Sequence, residues 1–124
     1  MTFMVLGDFP LHSGGIGKFK IECDDLTDDD IACFAWVISQ KYSFNKVYGI
    51  PRGGDRIAKA LEKYIDPNAL LPIVVDDVLT TGGSMLEFLQ KKNLSPITAI
   101  CVVLFSRIKP PLMVDAIFTF WHEG

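Results

Sequence analysis

Apolar residues in this chain alternate between two periods. Residues 44–50 (FNKVYGI), 72–75 (PIVV), 97–105 (ITAICVVLF) and 115–121 (DAIFTFW) are short apolar runs rich in β-branched and aromatic side chains, as expected of strands. The runs at 72–75 and 97–105 are nearly continuous, the pattern of strands covered on both faces. Between the runs lie stripes of helical period: Ile31, Phe34, Ala35 and Ile38, then Ile57, Ala58, Leu61 and Ile65, then Met85, Leu86, Phe88 and Leu89. Thr27 reads as the N-cap of the first helix, with Asp28, Asp29 and Asp30 in its first turn and Asp24 and Asp25 just before it. Trp36 falls off that stripe and covers either a loop or a partner subunit. Ahead of the helix, residues 9–19 (FPLHSGGIGKF) read as a glycine-rich loop anchored by Phe9 and Leu11. Phe19 and Ile21, alternating with Lys18, Lys20 and Glu22, read as a short half-exposed strand. Strands alternating with helices imply an α/β domain with a mainly parallel sheet flanked by helices.

The polar residues at the strand ends carry the chemistry. Asp76 and Asp77 follow the run at 72–75 at once, and no interior accepts such acids unpaired, so the strand is expected to end there. Thr80, Thr81, Gly82, Gly83 and Ser84 then form a small turn that opens the helix of Met85 to Leu89. Its glycines admit an anion to backbone N–H groups, its hydroxyls add donors and the helix N-terminus adds positive potential. A second turn of this kind, Pro51, Arg52, Gly53 and Gly54, follows the run at 44–50, and Arg52 adds a guanidinium able to fork onto phosphate oxygens. Two such turns after parallel strands face one crevice at the carboxyl edge of the sheet. An ordinary strand-to-helix turn with capping acids accounts for one carboxylate, and not for two adjacent ones.

Composition narrows the picture without redirecting it. The 124 residues suit one domain, 1–124, and a net charge of -3 argues against non-specific nucleic-acid binding. No apolar run reaches the length of a membrane span, and MTFMVLGDFP lacks the basic start of a signal peptide, so a cytoplasmic protein is expected. Cys23, Cys33 and Cys101 are odd in number and widely spaced, and read as buried reduced thiols rather than zinc ligands.

The segment VVDDVLTTGGS resembles the phosphoribosyl pyrophosphate (PRPP) motif of the type I phosphoribosyltransferases position by position: two apolar residues, two acids, two variable residues, then the hydroxyl and glycine loop. The resemblance implies that family's Rossmann-like fold, with Asp76 and Asp77 on the ribose hydroxyls and Thr80, Thr81, Gly82, Gly83 and Ser84 around the 5-phosphate. YGIPRGG is similar to the family's pyrophosphate loop, which assigns Pro51, Arg52, Gly53 and Gly54 to the pyrophosphate and implies a cis peptide bond between Pro51 and Arg52. LHSGGIGKFKI looks like the N-terminal stretch that folds over the base in orotate phosphoribosyltransferases. It makes residues 1–22 a small hood and offers His12, Lys18 and Phe19 to the base, although His12 stands where that family usually has Lys. The alternative for His12 and Lys18 is a solvated loop. Arg107, after the strand at 97–105, reaches the pyrophosphate or base, or is a charge on the rim.

The resemblance implies a glycosyltransferase that moves ribose 5-phosphate from PRPP to a nucleobase, orotate favoured. Mg²⁺ would be held mainly by PRPP, with Asp76 and Asp77 as further ligands, and the chain would form a homodimer. One feature departs from the family. Residues 55–70 hold a helix and a connector, with little length left for the mobile catalytic loop, which reads as absent or vestigial, and Lys59 and Lys63 read as solvent-facing helix residues. That departure motivates a second reading, a non-catalytic PRPP sensor or regulator. A phosphoacceptor receiver domain would account for Asp24, Asp25, Asp76, Lys109 and Pro110, but leaves GIPRGG without a role. Neither glycine turn reads G-x-G-x-x-G, which disfavours a dinucleotide site. Phe118, Phe120 and Trp121 read as core or subunit contacts, with base stacking as the alternative.

Overall fold

The computed structural model describes residues 4–10, 16–21, 26–79, 83–108, 110 and 114–119. Asp24, Asp25, Cys23, His12, Thr80, Thr81, Gly82, Lys109, Phe120 and Trp121 lie outside them. Strands β1 (Met4–Pro10) and β2 (Ile16–Ile21) form an antiparallel pair, with Phe19 opposite Leu6. Part of the stretch expected as loop is therefore strand. The remaining strands, β3 (Val47–Gly49), β4 (Ile73–Leu79), β5 (Ile100–Ser106) and β6 (Val114–Thr119), form a wholly parallel sheet in that spatial order.

Helices α1 (Asp28–Lys41) and α2 (Asp55–Leu61) pack on one face of this sheet and α3 (Gly83–Lys91) on the other. The alternation along β4 sets this up. Ile73 and Val75 join Ile31, Ala35, Ile38, Ile57 and Leu61 in one cluster, whereas Val74 joins Met85 and Leu89 in the other. Both faces are covered, which is why these strands tolerate unbroken apolar runs.

α1 begins as its sequence implies. The Thr27 hydroxyl accepts from the Asp30 N–H at 3.1 Å, and the Asp30 carboxylate accepts from the Thr27 N–H at 2.9 Å, a reciprocal capping box. Thr27→Ala is expected to lower unfolding free energy by about 1 kcal/mol, read from urea denaturation. An unchanged midpoint would show that the cap contributes nothing. At the far end, the Tyr42 hydroxyl and Lys41 Nζ both donate to Asp115 on β6, the lysine at 2.8 Å. Partial burial opposes ionisation of Asp115, but these two donors outweigh it and hold its carboxyl below the usual range. Burial, with the Asp115 hydrogen bond and charge, raises the Tyr42 phenol well above its ordinary value. Trp36 is 55% exposed, on the side of α1 away from the sheet.

The structure corrects several boundaries. β4 does not end at Asp76; it runs through both acids to Leu79, which is buried, because β5 continues beside it as far as the Leu79–Ser106 pairing. β5 starts at Ile100 rather than Ile97. A turn in which the Ser95 N–H donates to the Thr98 hydroxyl and the Thr98 N–H to the Ser95 carbonyl precedes it, and leaves Ile97 77% exposed. Cys33 is exposed, on the helix face turned from the core, whereas Cys101 is buried and its thiol pushed up to about 11 by burial. α2 is shorter than its apolar stripe and passes into a 3₁₀ turn, Glu62–Tyr64, leaving Ile65 partly exposed. The connector to β4 is stitched to the approach of β3: the Asp66 N–H donates to the Phe44 carbonyl and Asn45 Nδ2 to the Ala69 carbonyl. Residues 55–79 are all described, and they contain no lid. Lys59 and Lys63 are exposed, as expected.

Candidate active site

Parallel pairing of β3 with β4 brings the two motifs together. Gly49 lies opposite Val75, and one residue on the Ile50 N–H donates to the Val75 carbonyl at 2.9 Å, so residues 51–54 leave the sheet beside Asp76 and Asp77. The Pro51–Arg52 peptide bond is cis, as the resemblance implies. The Gly54 N–H returns to the Ile50 carbonyl at 2.8 Å, and the Asp55 N–H donates to the Arg52 carbonyl at 3.1 Å, closing a tight turn into α2. The glycines are required by close approach. A Cβ on Gly53 would fall on the carboxyl group of Asp77, and one on Gly54 would meet the Val75 carbonyl and the Ile50 backbone.

The acid pair is half-buried and internally ordered. The Asp77 N–H donates to Asp76 Oδ1 at 2.8 Å and the Val78 N–H to Asp77 Oδ1 at 2.7 Å, so each carboxylate is oriented by the amide that follows it. Burial, and then the adjacent charge of Asp77, push the Asp76 carboxyl up to about 8. A ligand that brings hydroxyl donors or a cation to this pair would favour its fully ionised form.

Two cavities flank residues 51–54. One, of about 310 Å³, has Arg52, Gly53, Arg56 and Asp77 on its polar side and Leu26 and Leu104 among its apolar walls. The other, of about 260 Å³, is lined by Ile50, Pro51, Ser84, Glu87, Phe88 and Lys91, and so joins the turn after β3 to the start of α3. The site thus offers a guanidinium and a paired carboxylate in one cavity and a helix N-terminus in the next, a layout suited to an anionic, hydroxyl-bearing ligand.

No family model matches the chain, and no curated protein matches its sequence. Among solved structures, orotate phosphoribosyltransferase from Aeropyrum pernix superposes with a TM-score of 0.68 at 21% identity, over 94% of this chain and 88% of that one. The chain has the type I phosphoribosyltransferase fold. UMP synthase of Leishmania donovani superposes with a TM-score of 0.70 at 18% identity over 94% of this chain, which spans only 33% of that longer protein. Giardia lamblia APRTase, solved with 9-deazaadenine, gives a TM-score of 0.61 at 16% identity, with 94% of each chain covered.

Within this phosphoribosyltransferase fold the residues singled out by sequence are distributed unevenly. Arg52, Gly53 and Asp77 meet around one cavity, with Asp76 adjacent to Asp77 in the strand. Pro51 and Ser84 share the second cavity, and Gly83 is the first residue of α3. Arg107 follows β5, half-buried, its N–H donating to the Leu79 carbonyl at 3.0 Å, and it lines neither cavity. Lys18 and Phe19 fall on β2, while His12, Thr80, Thr81 and Gly82 lie outside the described residues. Sequence reasoning passed over Arg56, which lines the first cavity. The available signal was a second arginine one helical turn beyond Arg52.

Among the described residues no group of three or more His, Cys, Asp or Glu could hold a metal ion. Two adjacent carboxylates are hard oxygen donors of the kind Mg²⁺ accepts when most of its shell comes from phosphate and water. No helix among them is long and apolar enough to cross a membrane.

Proposed function

We propose that this chain is a phosphoribosyltransferase that transfers ribose 5-phosphate from PRPP to a nucleobase, releasing pyrophosphate. The observation carrying the proposal is the seating of Gly53 against the Asp77 carboxyl, which puts the turn matching the pyrophosphate loop beside the acids matching the ribose site. Ser84 at the start of α3, with the residues before it, would receive the 5-phosphate. Asp76 and Asp77 would accept hydrogen bonds from the ribose hydroxyls, and Arg52 would contact the pyrophosphate. Mg²⁺, held by PRPP oxygens and reached by Asp76 or Asp77, would neutralise charge on the leaving group. A ring nitrogen of the base attacks the anomeric carbon as its bond to pyrophosphate breaks. The sugar becomes cationic in that step, and the two nearby carboxylates favour it, with no covalent nucleophile needed.

Orotate is the favoured base, supported by the N-terminal resemblance and by the orotate phosphoribosyltransferases among the fold's neighbours. His12, Lys18, Phe19 and Arg107 are the base-binding candidates in this reading. A homodimer belongs to the same resemblance, and a cytoplasmic location to the reading of the apolar runs and the N-terminal residues. The absence of a lid in residues 55–79 favours a second reading, a PRPP-binding regulator without turnover.

Calorimetric titration with PRPP, with and without Mg²⁺, followed by a pyrophosphate-release assay across orotate, uracil, adenine and hypoxanthine, separates these readings. Mg²⁺-dependent binding with release on one base is expected. Binding in the micromolar range, about -8 kcal/mol, without release on any base would select the regulator. A protein that binds no PRPP would be neither.

A further inference from the structure

Arg56 is the second residue of α2, which continues directly from residues 51–54. Its Nη2 donates to the Leu26 carbonyl at 2.9 Å and to Asp28 Oδ1 at 3.2 Å. The two bonds differ in weight. The Asp28 side chain is fully exposed, so that ion pair contributes little, whereas the Leu26 carbonyl belongs to a residue only 6% exposed. One guanidinium therefore ties the entry of α1 to the entry of α2. Neither helix needs it for its own start: α1 is capped by Thr27 and Asp30, and α2 is anchored by the buried Ile57 and Leu61. Arg56 also lines the cavity that holds Arg52, Gly53 and Asp77.

Residues 51–54 and the first turn of α2 are tied together, since the Asp55 N–H bonds the Arg52 carbonyl and the Ala58 N–H bonds the Gly54 carbonyl. A shift at the start of α2 would carry Arg52 and Gly53 with it, and small displacements of a binding group weaken it disproportionately. We propose that Arg56 is a positioning residue for the pyrophosphate end of the site, holding residues 51–54 in place by its clasp on the Leu26 carbonyl. This rests on the PRPP reading above. It assigns Arg56 no part in holding the ribose 5-phosphate portion, which in that reading would lie against β4 and α3.

The test compares PRPP and ribose 5-phosphate, each with Mg²⁺, on wild type, Arg56→Ala, Arg56→Lys and Asp28→Ala, well below the melting temperature of each. Arg56→Ala is expected to weaken PRPP about tenfold, the scale of one charge-assisted hydrogen bond, and to leave ribose 5-phosphate unchanged. Arg56→Lys should recover most of the loss, and Asp28→Ala should bind as wild type. Where turnover is measurable, KM for PRPP rises and kcat holds. Equal weakening of both ligands, or of neither, overturns the proposal, as does a lysine variant no better than alanine. A wild type that binds neither ligand removes the PRPP reading itself, an outcome distinct from an effect confined to the variants.

Discussion

Asp76→Asn/Asp77→Asn is expected to bind PRPP at least a hundredfold more weakly than wild type while remaining folded. Removing the two charge-assisted contacts that the proposed function gives these acids, about 1.5–3 kcal/mol each, sets that scale. The folded protein is not expected to suffer, because Asp76 is a destabilising residue at neutral and higher pH. Its carboxyl is pushed up to about 8 by burial and by the charge of Asp77. An unfolded aspartate titrates near 3.9. Between these values the folded chain holds a proton that the unfolded chain has released, so stability from this group is complete below about pH 4 and declines as pH rises, until it is lost above about 8. Asp76→Asn alone should therefore melt above wild type at pH 8.5 and no higher than wild type at pH 4, a shift of about 4 °C for each kcal/mol. The ligand sees the opposite slope. In the proposed site PRPP hydroxyls or Mg²⁺ would favour the doubly ionised pair, so affinity should rise toward pH 8, by at most about tenfold per unit, and flatten in Asp76→Asn. Calorimetry in buffers of different ionisation enthalpy should show proton release on binding at pH 7. Affinity independent of pH, or an Asp76→Asn protein that melts lower at pH 8.5, would contradict this account.

Gly53→Ala and Gly54→Ala are expected to fail in different ways although they are neighbours. The atoms nearest a methyl on Gly54 are all backbone: the Val75 carbonyl, the Ile50 N at 2.7 Å and the Ile50 O at 2.9 Å. Those atoms belong to the β3–β4 ladder and to the turn bond from Gly54 N–H to Ile50 O, so relief requires the turn or the sheet edge to give way. A loss of about 2–4 kcal/mol follows, seen as a lower urea midpoint. The atoms nearest a methyl on Gly53 all belong to the Asp77 carboxyl, a side chain that can rotate. Gly53→Ala should melt close to wild type yet lose most PRPP binding, because Asp77 is driven from its place. Equal melting temperatures for the two variants would show that the turn yields more easily than its contacts imply.

The alternation of strands and helices, the cap at Thr27 and the resemblance of VVDDVLTTGGS and YGIPRGG to known loops were all legible in the chain, because each depends on residues a few positions apart. Element ends were less legible. Ile97 belongs by composition to the strand that follows, yet the Ser95–Thr98 turn takes it out, and β5 begins where its pairing with β4 begins. Asp76 and Asp77 looked like a strand terminus because acids are costly to bury; they sit inside β4 because its carboxyl end opens onto a cavity, where half-burial suffices. Cys33 shows the same limit, since its exposure follows from the side of α1 that meets the sheet.

Sequence by itself determined the α/β class and which residue types stand at the strand ends, both properties of local pattern. Tertiary structure alone decided that Gly53 rests on Asp77, that burial pushes the Asp76 carboxyl up to about 8 and that Arg56 reaches the Leu26 carbonyl. The first and third depend on distances across parallel pairing or helix packing, between residues that the chain keeps far apart, and the second on burial that only packing supplies, added to the charge of the neighbouring Asp77.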